Sequence, residues 1–303
     1  MSDVVIKATN LTKDYGLGRG IFDMNFEIKK GEMIGFVGSN GAGKTTTIRH
    51  IMGFLKPTSG SITVNGLECH EHEAEIAKLI GYVPGEIAFP DLKTGISFLK
   101  MQAELCGLKD FTRANELIQK LALDPNASLK RMSKGMKQKT ALVAALMNDP
   151  EIIILDEPTT GLDPLMRDEF LSIIEEEHKK GKTIFMSTHL YEEVEATCDK
   201  VALIDKGRII DMVELSKVSD PDIQTFFVDM TSEKDMNDLI KKSPFQVSEA
   251  ETKLRLEFKV QKERASEFLK LLSNYPIKAI VEKHDTLQNY FNRKFKEGEH
   301  ETK

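Results

Sequence analysis

The run Gly38-Ser-Asn-Gly-Ala-Gly43-Lys44-Thr45 satisfies the spacing G-x-x-x-x-G-K-[ST] at every fixed position. Residues of these types in this order make a cradle for phosphate. Gly38, Gly41 and Gly43 let the backbone bend so that consecutive N–H groups, those of Ser39, Asn40 and Ala42 among them, face inward. The nest opens a helix, where the dipole adds positive potential. Lys44 brings a full charge to the β and γ phosphates of a nucleotide. The Thr45 hydroxyl is a ligand for Mg²⁺, and Thr46 can donate to the phosphates beside it. A chance glycine-rich turn is the plainer alternative. The apolar strand before the run and the helical stretch after it argue against that alternative.

A second constellation follows far along the chain. Ile152-Ile-Ile-Leu155-Asp156-Glu157 is an apolar strand ending in two acids. Ligands of open α/β sheets bind at the carboxyl ends of the strands. Asp156 is placed there to hold Mg²⁺, mostly through water. Glu157 is placed to polarise a water attacking the γ-phosphate, and phosphoryl transfer needs little beyond positioning and charge neutralisation. Acids after an apolar strand are common, so this motif gains its weight from the phosphate loop. His189 follows the strand Thr183–Ser187 at the same edge. A lone histidine is more often structural, but its place at the end of a core strand favours a bond to the γ-phosphate or to the water.

These groups need a sheet to align them. Strand-like runs are read at Val4–Ala8, Phe22–Ile28, Met33–Val37, Ser61–Val64, Leu79–Val83, Ile152–Leu155, Thr183–Ser187 and Val201–Asp205. A helix of about Lys44–Phe54 follows the phosphate loop, and helical apolar spacing runs from about Glu86 to Met147. Strands alternating with helices imply an α/β fold with a mainly parallel sheet covered on both faces. The first strands form a small antiparallel portion, and residues 86–147 form an inserted helical subdomain. After Lys217 the texture changes. Strands at Thr225–Met230, Phe245–Glu249, Lys253–Lys259 and Ile277–Lys283 alternate with helices at Glu233–Lys241, Glu263–Ser273 and Thr286–Phe295. That order suggests a small α+β domain of ferredoxin-like type. Two domains are therefore expected, 1–217 and 218–303.

The totals exclude several classes. A net charge of −6 with interspersed acids and bases points away from nucleic acid. Cys69, Cys106 and Cys198 are odd in number and far apart, as expected of reduced thiols rather than a disulfide or zinc site. The opening MSDVVIKATN lacks the basic and apolar regions of a signal peptide. No apolar run approaches the length of a membrane span, so any channel belongs to another chain.

With these residues in hand, about Val4 to Lys217 resembles the nucleotide-binding subunit of ABC transporters, which are P-loop NTPases. Met132-Ser133-Lys134-Gly135-Met136 occupies the place of the family signature Leu-Ser-Gly-Gly-Gln. Ser133 and Gly135 match it; Met132, Lys134 and Met136 depart. Pro158 and Gly161-Leu162-Asp163 match the loop after the catalytic acid, Ser187-Thr188-His189 matches the switch-histidine motif, and Tyr15 sits where the family stacks an aromatic on adenine. The resemblance implies that Ser133 and Gly135 face the γ-phosphate on a second subunit, closing ATP head to tail between two copies or homologues. Ser133 is also a good N-cap, and most of the lysines around it read as a solvated helix face. The family places Gln or Glu in the loop after Leu79–Val83; Gly85 stands there here, and Glu86 comes next. Glu86 is either the metal and coupling group after a one-residue shift or an ordinary loop acid. In the C-terminal piece, Asp285–Phe291 resembles a short terminal motif of the exporter branch. An amphipathic capping helix explains it as well.

The implied function is Mg-ATP hydrolysis by a peripheral subunit at the cytoplasmic face of a membrane. It would drive export of a peptide, antibiotic or drug by integral-membrane permease subunits. Two other readings stand beside it. One is a soluble relative acting on ribosomes or nucleic acid, disfavoured by the single phosphate loop and the lack of sustained heptads. The other is a regulatory or sensing complex without net transport.

Overall fold

In the computed structural model, residues 3–218, 223–249, 254–283 and 287–300 are described. Contacts divide the chain into two compact units, Met1–Val213 and Glu214–Lys303.

The first unit opens with β1 (Val4–Asp14), β2 (Gly20–Lys29), β3 (Met33–Val37), α1 (Lys44–Ile51), β4 (Ser59–Val64), β5 (Leu67–Glu68), α2 (Glu73–Ile76) and β6 (Ile80–Val83). It continues with α3 (Gly95–Leu105), α4 (Thr112–Lys120), α5 (Lys134–Leu146), β7 (Ile152–Asp156), α6 (Pro164–Lys179), β8 (Thr183–Thr188), α7 (Tyr191–Thr197), β9 (Lys200–Asp205) and β10 (Arg208–Glu214).

Every residue of β3, β7 and β8 is buried. Such runs suit central strands covered on both faces. They lie in a six-stranded sheet of order β10-β9-β3-β8-β7-β6. The pairs β9·β3, β3·β8, β8·β7 and β7·β6 are all parallel. Register decides where the chemistry emerges. Val37 pairs with Thr188 and Asp156 with Ser187. The ends of β3, β7 and β8 are therefore level, and the loops that follow them leave from one edge.

A second sheet of order β2-β1-β4-β5 is antiparallel. β2 alternates buried and exposed residues along most of its length, as a strand with one wet face must. Its inner residues Met24, Phe26 and Ile28 share a core with Ile48 and Ile51 of α1 and with Phe36, Ile154 and Phe185 of the parallel sheet. α1 is thus held by apolar contact on both sides, and the loop before it is fixed.

The stretch expected to be helical from Glu86 onward is not so throughout. α3 begins only at Gly95, capped by the Thr94 hydroxyl on Ser97 N. Pro84 and Pro90 disfavour helix in the residues before them. The subdomain proper is α3, α4 and α5. It is fastened to the core by ion pairs with one face of α6: Arg113 to Glu177 at 2.7 Å, Lys139 to Glu169 at 2.9 Å, and Lys120 to Glu176. β10 was not anticipated. It follows a Lys206-Gly207 turn with φ of 45° and 76°, the signature of a two-residue hairpin.

The second unit holds β11 (Ile223–Met230), α8 (Glu233–Lys242), β12 (Gln246–Glu249), β13 (Arg255–Gln261), α9 (Ala265–Leu272), β14 (Ile277–Lys283) and α10 (Leu287–His300). The sheet order is β12-β13-β11-β14, with neighbouring strands antiparallel throughout. β13 therefore sits between β11 and β12, which is the split-βαβ arrangement. Phe268 of α9 packs against Phe226, Phe245 and Phe258 with centroids 5.1–5.4 Å apart. Asp285 and Thr286 of the terminal motif, and Lys253, lie outside the described residues; Leu287 and Phe291 are buried.

Candidate active site

The phosphate loop spans the gap between β3 and α1. Two of its glycines are required by space. A Cβ at Gly38 would stand 2.2 Å from Ile204 O. Gly43 has φ of 112°, and its Cβ would meet Ile21 Cγ2 at 2.7 Å. Lys44, buried at 5 % exposure, turns back over the loop. Its Nζ donates to Gly38 O at 2.7 Å and Ser39 O at 3.1 Å, and stands 3.0 Å from Glu157 Oε1.

The two acids after β7 part company. Asp156 is buried, and its Oδ1 accepts from Thr45 Oγ1 at 3.2 Å and Ser187 Oγ at 2.7 Å. Glu157 has φ of 48°, which is the left-handed region. A non-glycine residue there costs on the order of 1–3 kcal/mol and persists only where its surroundings hold it. They do so here: Glu157 N donates to Ser187 O at 3.0 Å and lies 3.2 Å from Ser187 Oγ. The reversal turns its carboxylate toward the phosphate loop. Glu157 Oε2 then accepts from Thr160 Oγ1 at 3.0 Å and faces His189 Nδ1 at 2.6 Å. An ionised carboxylate only accepts, so this contact places a proton on Nδ1. Burial alone raises the Glu157 pKa, but the bonds from Lys44, His189 and Thr160 together outweigh it and hold the group below its ordinary value.

Behind this pair lies a buried clamp. Glu193 of α7 accepts from Thr159 Oγ1 at 2.5 Å and from Thr188 Oγ1 at 2.9 Å. Gln138 of α5 donates to Pro158 O at 2.5 Å.

Two clefts flank the carboxylate of Glu157. One, of about 480 Å³, is lined by Tyr15, Arg19, Asn40, Gly41, Gly43, Lys44, Thr45, Thr46, Glu157 and Lys206, among others. Tyr15 is half exposed at its wall, its ring 5.8 Å from Lys13 Nζ. The other, of about 500 Å³, includes Asn40, Thr45, Arg49, Tyr82, Gly85, Glu86, Lys134, Asp156, Glu157 and His189. Glu86 is exposed in that wall. Ser133, Gly135 and Asp163 line neither cleft. Ser133 caps α5 by accepting from Met136 N at 3.2 Å, and Asp163 caps α6 by accepting from Met166 N at 3.0 Å. Gly135 gives Met166 its place, since a Cβ there would lie 2.2 Å from Met166 Cε.

A family model described as ABC transporter matches residues 21–160. The bacitracin transport ATP-binding protein BcrA of Bacillus licheniformis is 36% identical over 212 residues, covering 69% of this chain and 69% of that protein. The chain belongs to the ABC transporter ATP-binding family. The linearmycin resistance ATP-binding protein LnrL of Bacillus subtilis is 37% identical over 211 residues, 68% of each chain. A solved ATP-binding subunit of an ABC transporter is 30% identical with a TM-score of 0.66, over 71% of this chain and 91% of that one. A dimeric ATP-binding cassette in a post-hydrolysis state, bound to ADP and Pi, is 25% identical with a TM-score of 0.62, over 69% and 98%.

This ABC subunit is thus an ATP-binding ATPase. Subunits of its family act as dimers and with membrane permease components. Among the described residues no helix is long and apolar enough to cross a membrane.

Several wall and support residues carry no motif and were not anticipated. Arg19 and Lys206 enter the first cleft, Arg49 and Tyr82 the second. Lys206 is set there by its hairpin turn, where Gly207 N bonds Ala42 O at 2.9 Å. The hydroxyl side chain of Ser187 was visible in the sequence only as part of the run before His189. Its bonds to both acids depend on register, which no local pattern reveals.

Proposed function

We propose that the subunit hydrolyses Mg-ATP with Glu157 as the water-activating residue. Paired head to tail with a second ATP-binding subunit, it drives export of a peptide, antibiotic or drug through integral-membrane partners. The observation that carries this reading is the position of the Glu157 carboxylate, held between Lys44 and His189 at the level edge of the sheet.

Lys44 and the amides of residues 38–46 would bind the β and γ phosphates, with Tyr15 against the base. A triphosphate competes with Glu157 and the loop carbonyls for the Lys44 ammonium, which frees the carboxylate to face the attacking water. His189 orients that carboxylate and reaches the γ-phosphate. Thr45 and Asp156 would hold Mg²⁺. They offer hard oxygen donors 3.2 Å apart, one of them a buried carboxylate, and Mg²⁺ characteristically keeps waters in its remaining positions. When bound, the ion supplies charge neutralisation on the phosphate oxygens. Glu86 is the acid we place beside it. A Cβ at Gly85 would stand 2.9 Å from Asp156 O, so position 85 has little room for a side chain, whereas Glu86 lines the cleft. Ser133, Gly135 and Asp163 belong to the half-site offered to the second subunit, as their absence from the walls of both clefts of their own chain suits. The names of the relatives, bacitracin transport and linearmycin resistance, support export, and on this reading the subunit works at the cytoplasmic face of a membrane beside its permease.

Glu157→Gln tests the reading. It keeps the shape and removes the base, so ATP binding should persist while steady-state hydrolysis falls about 10²–10⁴-fold. Wild-type turnover in that variant would remove Glu157 from its role.

A further inference from the structure

We infer that Lys134 is a specificity-determining cation for this reaction, its ammonium directed at the terminal phosphate of a bound nucleoside triphosphate. The inference rests on the phosphate-site reading above, but not on Glu157 as base.

Lys134 interrupts the signature segment where the family pattern has glycine. Its surroundings give it no structural task. Nearby Lys130 pairs with Asp91 at 3.1 Å and Lys139 with Glu169 at 2.9 Å. Among the described residues Lys134 has no carboxylate within 4.0 Å. It is also the first residue of α5, whose first turn holds no acid. A cation there meets the positive end of the helix dipole, which works against stability.

What its side chain does is cross to the loop that follows Glu157. Gly161 has φ of 75°, and a Cβ there would lie 2.7 Å from Lys134 Nζ. Only a glycine leaves the ammonium that position. From it Lys134 enters the wall of the cleft shared by Thr45, Asp156, Glu157 and His189, and that of a smaller one shared with Glu86 and Lys137. Glu86, Asp156 and Glu157 give this cleft three acids, of which Asp156 and Glu157 already have donors. An unpaired flexible ammonium at such a wall suits a multiply charged anion. Of the parts of ATP, the terminal phosphate alone is lost on hydrolysis. A charge aimed there alone separates ATP from ADP, whereas Lys44 also holds the β-phosphate that both carry.

The test is a binding titration with full-length protein, Mg²⁺ and either ADP or the non-hydrolysable analogue AMP-PNP. In Lys134→Gln the affinity for AMP-PNP should fall about ten-fold or more, as loss of a bond to a charged group gives. The affinity for ADP and the melting temperature should stay within two-fold and about a degree of wild type. Lys134→Arg should keep most of the preference. Unchanged discrimination in Lys134→Gln overturns the inference, as does an equal loss for ADP and AMP-PNP. Mixing Lys134→Gln with Lys44→Ala chains tells which nucleotide is served. Restored AMP-PNP affinity assigns the charge to a neighbouring chain's nucleotide; unrestored affinity assigns it to the chain's own. Hydrolysis enters none of these readouts, so a failure of the Glu157 assignment would leave them intact and recognisable.

Discussion

The hydroxyl of Ser187 can be removed without disturbing the strand that carries it. It donates to Asp156 Oδ1 at 2.7 Å and lies 3.2 Å from Glu157 N, and the side chain is fully buried. In Ser187→Ala, Asp156 loses a charge-assisted bond in a place that water does not reach, leaving Thr45 Oγ1 as its described donor. A bond to a charged group is worth about 1.5–3 kcal/mol. Glu157 N keeps its bond to Ser187 O at 3.0 Å, so little is added on that side. For a unit of this size each kcal/mol moves the melting midpoint by about 2–4 °C, which gives a loss of about 3–12 °C. Mg²⁺ dependence should shift as well, because Ser187 no longer fixes the Asp156 carboxylate in the orientation in which it meets Thr45. The half-saturating Mg²⁺ concentration for ATPase activity should rise while ADP binding without metal stays the same. Calorimetry and a Mg²⁺ titration read the two effects. If the midpoint moves by less than about one degree and the titration is unchanged, the hydroxyl does not organise the acids.

Two further predictions concern packing and pH. Gly135→Ala places a methyl against Met166 Cε at 2.2 Å, and overpacking of this kind should cost about 1–3 kcal/mol in urea unfolding; unaltered stability would show that Met166 swings away freely. His50 is buried, with Nδ1 2.8 Å from Thr46 O, and burial lowers its pKa below 6.5, against the bond to Thr46. The unfolded chain takes that proton first, so stability should be full above about pH 6.5 and decline as pH falls toward the folded value. Urea midpoints at several pH values check the slope, and His50→Phe should flatten it.

The phosphate loop was legible because its function resides in backbone spacing, and spacing is written directly in sequence. β3, β7 and β8 were legible because central parallel strands must be continuously apolar. Glu157 was found by its place after such a strand, but not its left-handed backbone, since that conformation is imposed by Ser187 thirty residues on. β10 escaped because it is half-exposed and lacks both alternation and a continuous apolar run. The region after Glu86 misled because helical apolar spacing in α3 and α5 was extended across Pro90. Lys206 and Arg19 could not be found by any local rule, since they reach the cleft only through turns whose positions depend on contacts distant in sequence.

The Glu193 clamp has a consequence for timing. One buried carboxylate grips both Thr159, two residues after Glu157, and Thr188, one residue before His189. Glu157 and His189 thus ride on a common strut. Neither loop can be drawn back without stretching a bond that anchors the other. A displacement arriving at either side, whether from a partner subunit or from the departing phosphate, is delivered to both groups at once. Catalytic competence in this cassette should therefore be lost and regained as a single event, with no interval in which Glu157 is set and His189 is not.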